Sequence, residues 1–331
     1  MRDSVEHDLD ETDRALVNVV QIAPRASWAE IGAALDINPA TAARRWGRLS
    51  DAGLARVIAY PRLTAWARHR CLAIIEVDCE PATREEVIAD LVRVPQIASV
   101  TIASSGRDLY LTVLTADLES LSALVLSLKG VRGTRTRLVT RMFTEGGTWR
   151  LDSLTSGQRA VLHPPPNATG VLPAADRDLL VALADARRSV ADIAGLTGTS
   201  ASTARRRLAR VVREGELSFR CETAQSITGW PVSASFWAKV PPPELRAVAT
   251  GLTALPEIRM CAAVTGADNL VISLWLRSLA DSQRFEEQLS THFPTLVVND
   301  RTIELRAVKR MGCLLDPGGR STAVIPVDPW A

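Results

Sequence analysis

The chain repeats itself, and that repetition limits the folds open to it more than any other feature. "LDETDRALVNVVQIAPRASWAEIGAALDINPATAARRWGRLSDAGL" (9–54) aligns nearly gap-free with "LPAADRDLLVALADARRSVADIAGLTGTSASTARRRLARVVREGEL" (172–217). The likeness continues: "REEVIADLVRVPQIASVTIASSGRDLYLTVLTADLESL" (84–121) parallels "PELRAVATGLTALPEIRMCAAVTGADNLVISLWLRSLADS" (243–282). Each continuation holds a helical run, a proline, an apolar strand, a Gly-x-Asp turn and a second strand, in that order. An offset of about 160 residues is too long for one turn of a solenoid. It implies two copies of a two-domain unit, and 331 residues are enough to give each domain its own core.

The bulk numbers narrow the class. Apolar residues at 47% and charged residues at 23% describe an ordinary globular protein. A net charge of +2 means that attraction to a polyanion must come from local patches. No apolar run is long enough to span a bilayer, and the opening "MRDSVEHDLDETDR" is too charged for a secretory signal. The five cysteines (Cys71, Cys79, Cys221, Cys261, Cys313) are scattered and lack CxxC spacing. They read as free buried thiols in a reducing cytoplasm rather than a disulfide frame or a zinc site. Neither a metal nor a cofactor is expected.

Each copy opens with three short helices. In the first, Asp10 or Thr12 precedes a run with Leu16, Val19 and Val20 at helical spacing. Ser27 and Glu30 form a capping box, in which the serine oxygen and the glutamate satisfy amides at the helix start. Asn38 caps a third helix, Pro39 fits its first position and Gly53 suits its end. The second copy repeats this with Ser189 and Asp192, then Ser200 before "ASTARRRLARVVRE", then Gly215.

Projected at about 100° per residue, the third helix of the first copy has two faces. Ala42, Trp46 and Leu49 form one; Thr41, Arg44, Arg45 and Arg48 form the other. In the second copy the corresponding sets are Ala204, Leu208 and Val211, and Thr203, Arg206, Arg207 and Arg210. An ordinary solvated helix intersperses both signs of charge, whereas acidic residues are nearly absent from these faces. A basic stripe on the third helix of a trihelical unit fits the major groove of double-stranded DNA. An isolated arginine run could equally be a solvated face; recurrence at the equivalent place favours DNA contact. The candidate DNA-binding residues are Asn38, Thr41, Arg44, Arg45, Arg48, Ser200, Ser202, Thr203, Arg206, Arg207 and Arg210.

The remainder of each copy reads strand-helix-strand-strand-helix-strand. The strands of the first fall near 69–78, 97–104, 109–115 and 135–143, and its helices near 83–93 and 118–128. The second has strands near 232–240, 258–265, 269–276 and 300–309, with helices near 243–254 and 279–292. This is the ferredoxin-like βαββαβ order, an antiparallel sheet with both helices on one side. The bare face needs a cover, so two such sheets should pair, within one chain or between chains. The expected class is therefore α+β, with two winged-type helix-turn-helix domains and two ferredoxin-like domains in tandem. Expected boundaries are 1–58 and 66–145, a linker over 146–171, then 172–222 and 230–312. The linker is inferred from its Gly, Ser, Thr and Pro content and the triple proline 164–166. A flexible tail over 313–331 is expected on similar grounds.

The pattern "LDETDRALV…SWAEIGAAL…NPATAARRWGRLSDAGL", followed by a sheet domain with an "SGRD" turn, resembles the Lrp/AsnC (feast/famine) transcriptional regulators. The resemblance spans about 9–143 and again about 172–310, with "PAAD" replacing the usual "LDxxD" opening in the second copy. It implies DNA binding as dimers or higher assemblies, here an intrachain pseudo-dimer or a homo-oligomer. It also implies control by an amino acid or other small metabolite held between paired sensing domains, beside the turn joining the central strands. That puts a candidate effector site near Ser105, Gly106, Asp108, Gly266, Asp268 and Asn269. The two glycines are equally what a tight turn with positive φ requires. The family usually has one unit per chain, so the tandem form leaves stoichiometry open.

Siroheme decarboxylases share this architecture, and "GWPVSASFWAKVPP" (229–242) resembles one of their strands. Their chemistry needs a proton donor and cationic anchors, with histidine and tyrosine on the central strands. Here the strands considered equivalent read "ASVTIASS" and "RMCAAVTG", and His7, His69, His163 and His292 all lie off them. A phosphate loop, metal cluster or nucleophile elbow is not apparent elsewhere. The sequence therefore favours a regulator over an enzyme, with a sensing protein that has lost DNA binding as a third reading.

Overall fold

In a computed structural model, which describes residues 9–166 and 168–331, the two copies build one closed sheet flanked by two helical units. Residues 1–8 of the expected first domain, His7 among them, lie outside the described residues. The first helical unit comprises α1 (Glu11–Ile22), α2 (Trp28–Leu35) and α3 (Pro39–Asp51). Its caps follow the sequence logic. Asp10 accepts from the Asp13 amide at 2.7 Å, Ser27 and Glu30 close the reciprocal box, and Asn38 accepts from the Ala40 amide at 2.8 Å. α3 buries Ala42, Trp46 and Leu49, the apolar stripe of the projection. Gly53 turns the chain at φ +67°, a left-handed conformation that a side chain resists.

β1 (Ala55–Pro61) and α4 (Leu63–His69) lead into the first sheet unit: β2 (Cys71–Cys79), α5 (Arg84–Leu91), β3 (Ile97–Ala103), β4 (Leu109–Thr115), α6 (Leu118–Ser127) and β5 (Val131–Thr144). After α7 (Ser156–Ala160) the pattern recurs. The helices α8 (Arg177–Ala182), α9 (Val190–Thr197) and α10 (Ala201–Arg213) precede β6 (Leu217–Thr223). The second sheet unit follows: β7 (Val232–Lys239), α11 (Leu245–Leu252), β8 (Ile258–Val264), β9 (Leu270–Leu276), α12 (Asp281–His292) and β10 (Val297–Arg310). The short strands β11 (Cys313–Leu315) and β12 (Ser321–Val324) end the chain.

Each sheet unit has the ferredoxin-like order, β3-β4-β2-β5 and β8-β9-β7-β10, antiparallel throughout. The units then exchange their last strands. β5 pairs with β2 through Leu138 and with β8 from Val139 onward, while β10 pairs with β7 through Glu304 and with β3 from Glu304 onward. Both are 14 residues long because each serves two sheets. The result is an eight-stranded ring, closed within one chain. Its outer faces carry two apolar layers. Ile75, Val77, Leu109 and Leu111 lie under α5 and α6, and Phe236, Ile272 and Leu274 lie under α11 and α12.

The helical units are joined by a ribbon of β1 and β6, antiparallel from Ala55↔Thr223 to Pro61↔Leu217. Arg187 reinforces the joint, donating to the carbonyls of Pro24 (2.9 Å) and Ala26 (3.0 Å) and stacking 4.0 Å over Trp28.

Three expectations need correction. The segment 146–171 is a strap rather than a free linker. Ser153 donates its amide to Asn18 and Leu151 to Gln21, both at 2.9 Å, and Leu154 and Leu162 are buried. The tail 313–331 is ordered as β11 and β12. The Ser321 amide donates to the Gly53 carbonyl at 2.8 Å, Asp328 pairs with Arg177 at 2.7 Å, and Trp330 packs edge-on to Trp66 at 5.4 Å. Polar composition suggested mobility in both, but their few apolar residues fall where the body offers sockets. Finally, the first strand, expected from 69, starts at Cys71, because the segment before it forms the helix α4, which His69 ends as an exposed residue. All five cysteines are buried and free.

Lys309 on β10 has no exposed surface, and its ammonium donates only to the Val94 carbonyl at 2.9 Å. Burial pushes it down to about 7 from its ordinary 10.5. Above 10.5 the lysine is neutral in both states and carries no penalty; the penalty grows as the pH falls and is full below about 7, where both states are charged. At about 1.4 kcal/mol per pKa unit, Lys309→Met is expected to stabilise the chain by a few kcal/mol at pH 6. The gain should be clearly smaller at pH 9; urea denaturation at the two pH values measures both.

Candidate DNA-binding face and interior cavity

The basic faces of α3 and α10 are built alike, and both are partly neutralised by acidic residues from other elements. Arg45 bridges Asp10 (2.7 Å) and Asp13 (2.9 Å), and Arg48 reaches the second oxygen of Asp13 at 2.5 Å. Arg207 is bidentate on Asp178 (2.6 and 2.8 Å) and also meets Asp176, while Arg210 joins Asp176 to Glu216 (2.9 Å). Asp13, in the first turn of α1, and Asp176, the residue before α8, are equivalent in the two copies and almost fully buried. Thus four of the six predicted arginines brace their helix against its own unit. The projection missed this because it considered only charges on the same helix; the signal was the paired "LDETD" and "PAADRD" openings.

Arg44 and Arg206, at equivalent positions, are exposed, and neither makes an ion pair among the described residues. Arg205, not singled out from sequence, is exposed beside them. Thr41 and Thr203 are half-buried, and Ser202 is exposed. Asn38 and Ser200 serve as caps, the latter accepting from the Thr203 amide at 3.2 Å. The outward faces are therefore basic but narrower than the sequence implied.

The six turn residues predicted for effector binding lie at one mouth of the ring, with unequal freedom. Asn269 spends its amide on Val240, accepting from its N–H at 2.9 Å and donating to its carbonyl at 2.7 Å. Asp108 accepts from the Cys79 amide at 2.8 Å and pairs with Arg84. Ser105 touches Thr302 at 3.4 Å. Gly106 and Gly266 both have positive φ, so the turn geometry alone accounts for them. Gly106 and Asp268 line a recess of about 310 Å³ with Arg107, Arg135, Arg137 and Glu76. Within it Arg137 binds Glu76 at 2.6 Å and Asp268 at 3.2 Å, and stacks 4.4 Å from Trp237.

The ring also encloses a cavity of about 140 Å³, which sequence reasoning did not find. Its lining alternates with the outward core residues along each strand: Ser99, Thr101 and Tyr110 from the first unit; Ser235, Trp237 and Ser273 from the second. Tyr110 stands on β4, next to the strand searched for acid–base groups. At its second end a buried charged cluster gathers. Glu222 binds Arg220 at 2.6 Å and Arg310 at 2.9 Å, and Arg259 stacks over Trp275 (3.6 Å) and beside Trp149 (4.6 Å). Burial pushes the carboxyls of Glu145 and Glu304 in the same wall above the usual range. Among the described residues there is no cluster of three His, Cys, Asp or Glu side chains fit to hold a metal ion, and no helix is long and apolar enough to cross a membrane.

The arginine clamps generate a stability prediction. Asp13→Asn keeps the shape but removes the charge shared by Arg45 and Arg48. It is expected to cost about 1–3 kcal/mol, the usual worth of hydrogen bonds to a charged group, in chemical denaturation. In the second unit the Arg207 guanidinium holds the Asp178 carboxyl below its ordinary 3.8. Its stabilisation is present above that pH and is lost as the pH falls through the lower folded value. In the first helical unit, outweighing partial desolvation, the Arg45 guanidinium likewise holds the Asp10 carboxyl below its ordinary value, so the same direction of acid sensitivity is expected there.

Comparison with known proteins matches two domains in the first half: the AsnC-type helix-turn-helix domain over residues 9–50 and the Lrp/AsnC ligand binding domain over 72–149. An uncharacterized HTH-type transcriptional regulator of Pyrococcus horikoshii is 29% identical over 137 residues, 40% of this chain and 87% of that protein. Another from Pyrococcus furiosus is 26% identical over 136 residues, 40% of this chain and 92% of that one. Among solved structures, the siroheme decarboxylase NirDL, in complex with an iron-uroporphyrin III analogue, shares the fold across both units. Its TM-score is 0.60 with 14% identity, covering 91% of this chain and 93% of that one. The two domain matches fall on the first helical unit and the first sheet unit, so the first half of the chain is built of an AsnC-type helix-turn-helix domain followed by an Lrp/AsnC ligand binding domain.

Proposed function

We propose that the chain is a sequence-specific DNA-binding transcriptional regulator whose two third helices, α3 and α10, face DNA together. The observation that carries this is the pairing of Arg44 with Arg206. They are equivalent, exposed and free of ion pairs among the described residues, on helices whose other arginines are braced from behind. A braced helix presents its free guanidinium in a fixed direction, which is what reading a base edge or seating on a phosphate requires. The relatives named as HTH-type transcriptional regulators support the same reading. The chain supplies both halves of the assembly, so it acts as an intrachain pseudo-dimer. A small-molecule effector, an amino acid or another metabolite, is assigned to the recess of Gly106 and Asp268, where Arg107 and Arg135 stand paired with Asp78 and Glu76 and would have to be shared with the ligand. In this reading Asn269 and Asp108 shape the turns rather than touch the ligand.

The fold match to a siroheme decarboxylase favours a second reading, an enzyme acting on a tetrapyrrole. The cavity speaks against it: about 140 Å³ is the size that holds a benzene-sized ring, several times too small for a tetrapyrrole. Incubating the chain with siroheme and recording spectra tests this; a time-dependent change in the absorption bands would establish the enzyme.

The regulator reading is tested by fluorescence anisotropy on DNA from the promoter of its own gene. Binding should weaken steeply with salt, because neutralised phosphates release counterions. Arg44→Ala and Arg206→Ala should each cost about 1–3 kcal/mol if the side chain reads a base, or lower the salt slope by about 1 if it holds a phosphate. Wild-type affinity and salt slope in the double variant, with folding intact, would remove both helices from the DNA interface.

A further inference from the structure

The buried end of the ring cavity holds a cation with no direct anionic partner among the described residues. Arg259 is 7% exposed, lines the cavity, and makes neither an ion pair nor a hydrogen bond among the described residues. The carboxylates around it are directed to other groups, and none is within ion-pair distance of its guanidinium among the described residues. Glu222 is already shared by Arg220 and Arg310, Glu145 accepts from Ser218 at 2.8 Å, and Glu304 accepts from Ser235 at 3.2 Å. The indole of Trp275 at 3.6 Å offers a π face, but burying a guanidinium without an anion is costly.

The backbone singles out the same residue. Both copies carry a register break at one place in the strand: between Ile97 and Ser99 in β3, and between Ile258 and Met260 in β8. The extra residue is Ala98 in the first copy and Arg259 in the second. A bulge re-aims a side chain, and such irregularities are common beside binding sites. The stacking partner differs in parallel, with Leu114 in the first copy and Trp275 in the second. The cationic end of the cavity is thus a feature of one copy, set at a pre-existing bulge.

We propose that the interior of the ring is a binding site for a small monocarboxylate with a flat apolar body, its carboxylate on Arg259 and its body between Trp237 and Trp275. Serine and threonine hydroxyls of the cavity wall (Ser99, Thr101, Ser235, Ser273) suit a second polar group on the ligand. Eight-stranded rings elsewhere have room for one small ligand, and the volume here matches a single substituted ring. Glu304 and Arg310 also line a surface groove beside β10, which marks the side from which the ligand enters. This site is distinct from the recess at Gly106 and Asp268, and it stands whether or not the chain binds DNA.

The test is titration of the full chain with benzoate, phenylacetate and 4-hydroxybenzoate, followed by tryptophan fluorescence and calorimetry. At least one should half-saturate below about 1 mM, and its neutral amide should bind at least tenfold more weakly. Arg259→Gln and Arg259→Ala, the latter restoring the first copy's residue, should abolish that preference at unchanged melting temperature. Absence of binding by all three acids, equal binding of acid and amide, or retention of the preference in both variants would overturn the assignment. The acid–amide comparison needs no variant and decides the matter even if both substitutions unfold the chain.

Discussion

The sharing of β5 and β10 between the two sheet units is the constraint on which the rest of the molecule depends. A four-stranded ferredoxin-like sheet covered by helices on one side has an uncovered face and an unpaired edge, both of them liabilities. Strand exchange removes both at once. The edge strands β3 and β8 receive β10 and β5, and the bare faces turn toward each other as the lining of a ring. The register breaks between Val139 and Arg141 and between Glu304 and Arg306 lie where each long strand passes from one sheet to the other. Bends of this kind are what a closed sheet needs at its corners.

The same approximate twofold arrangement carries through to the helical units. Because β1 and β6 form one ribbon, the two units are held together by backbone hydrogen bonds rather than by a linker, and the strap and tail close around them. A protein that assembles the equivalent pair from two chains pays the entropy of association each time. Here the pairing is intramolecular, and the relation of α3 to α10 is independent of protein concentration.

Much of this was legible in the sequence, and what was not has identifiable reasons. Helix caps are local chemistry, so Ser27 with Glu30 and Ser189 with Asp192 mark their helices unaided. Strand order follows from alternating apolar runs, and the eight expected strands are found to within a few residues, β5 and β10 running longest beyond expectation, whereas β1, β6, β11 and β12 were not anticipated. β5 and β10 begin earlier, where residues 131–134 and 297–298 pair with β2 and β7 of their own units; what no local pattern records is that their second halves, from Val139 and from Glu304, pair with the other unit. The arginines of α3 show the same limit for the site. Their face is visible in projection, yet whether Arg45 points to DNA or to Asp13 depends on a helix some thirty residues earlier in the chain. Arg259 was invisible for a further reason: a single arginine in an apolar strand reads as an edge position until the ring closes over it.

Fusion into one chain changes what each copy is free to become. In a two-chain dimer an isologous interface repeats every substitution, so an arginine at the bulge would appear twice in one enclosed space and repel itself. In the tandem chain Ala98 and Arg259 occupy the equivalent places without that conflict. The helical clamps show the opposite behaviour. The second copy has Pro173 where the first has Asp10, yet it regains a carboxylate at Asp178, and Arg207 remains held from two sides. Where both halves need the same geometry, the loss of one acid is offset by another nearby. Where the halves differ without compensation, as at Ala98 and Arg259 or Leu114 and Trp275, the difference follows the wall of the cavity. That pattern separates the residues that hold the pseudo-dimer together from those that give its interior a direction.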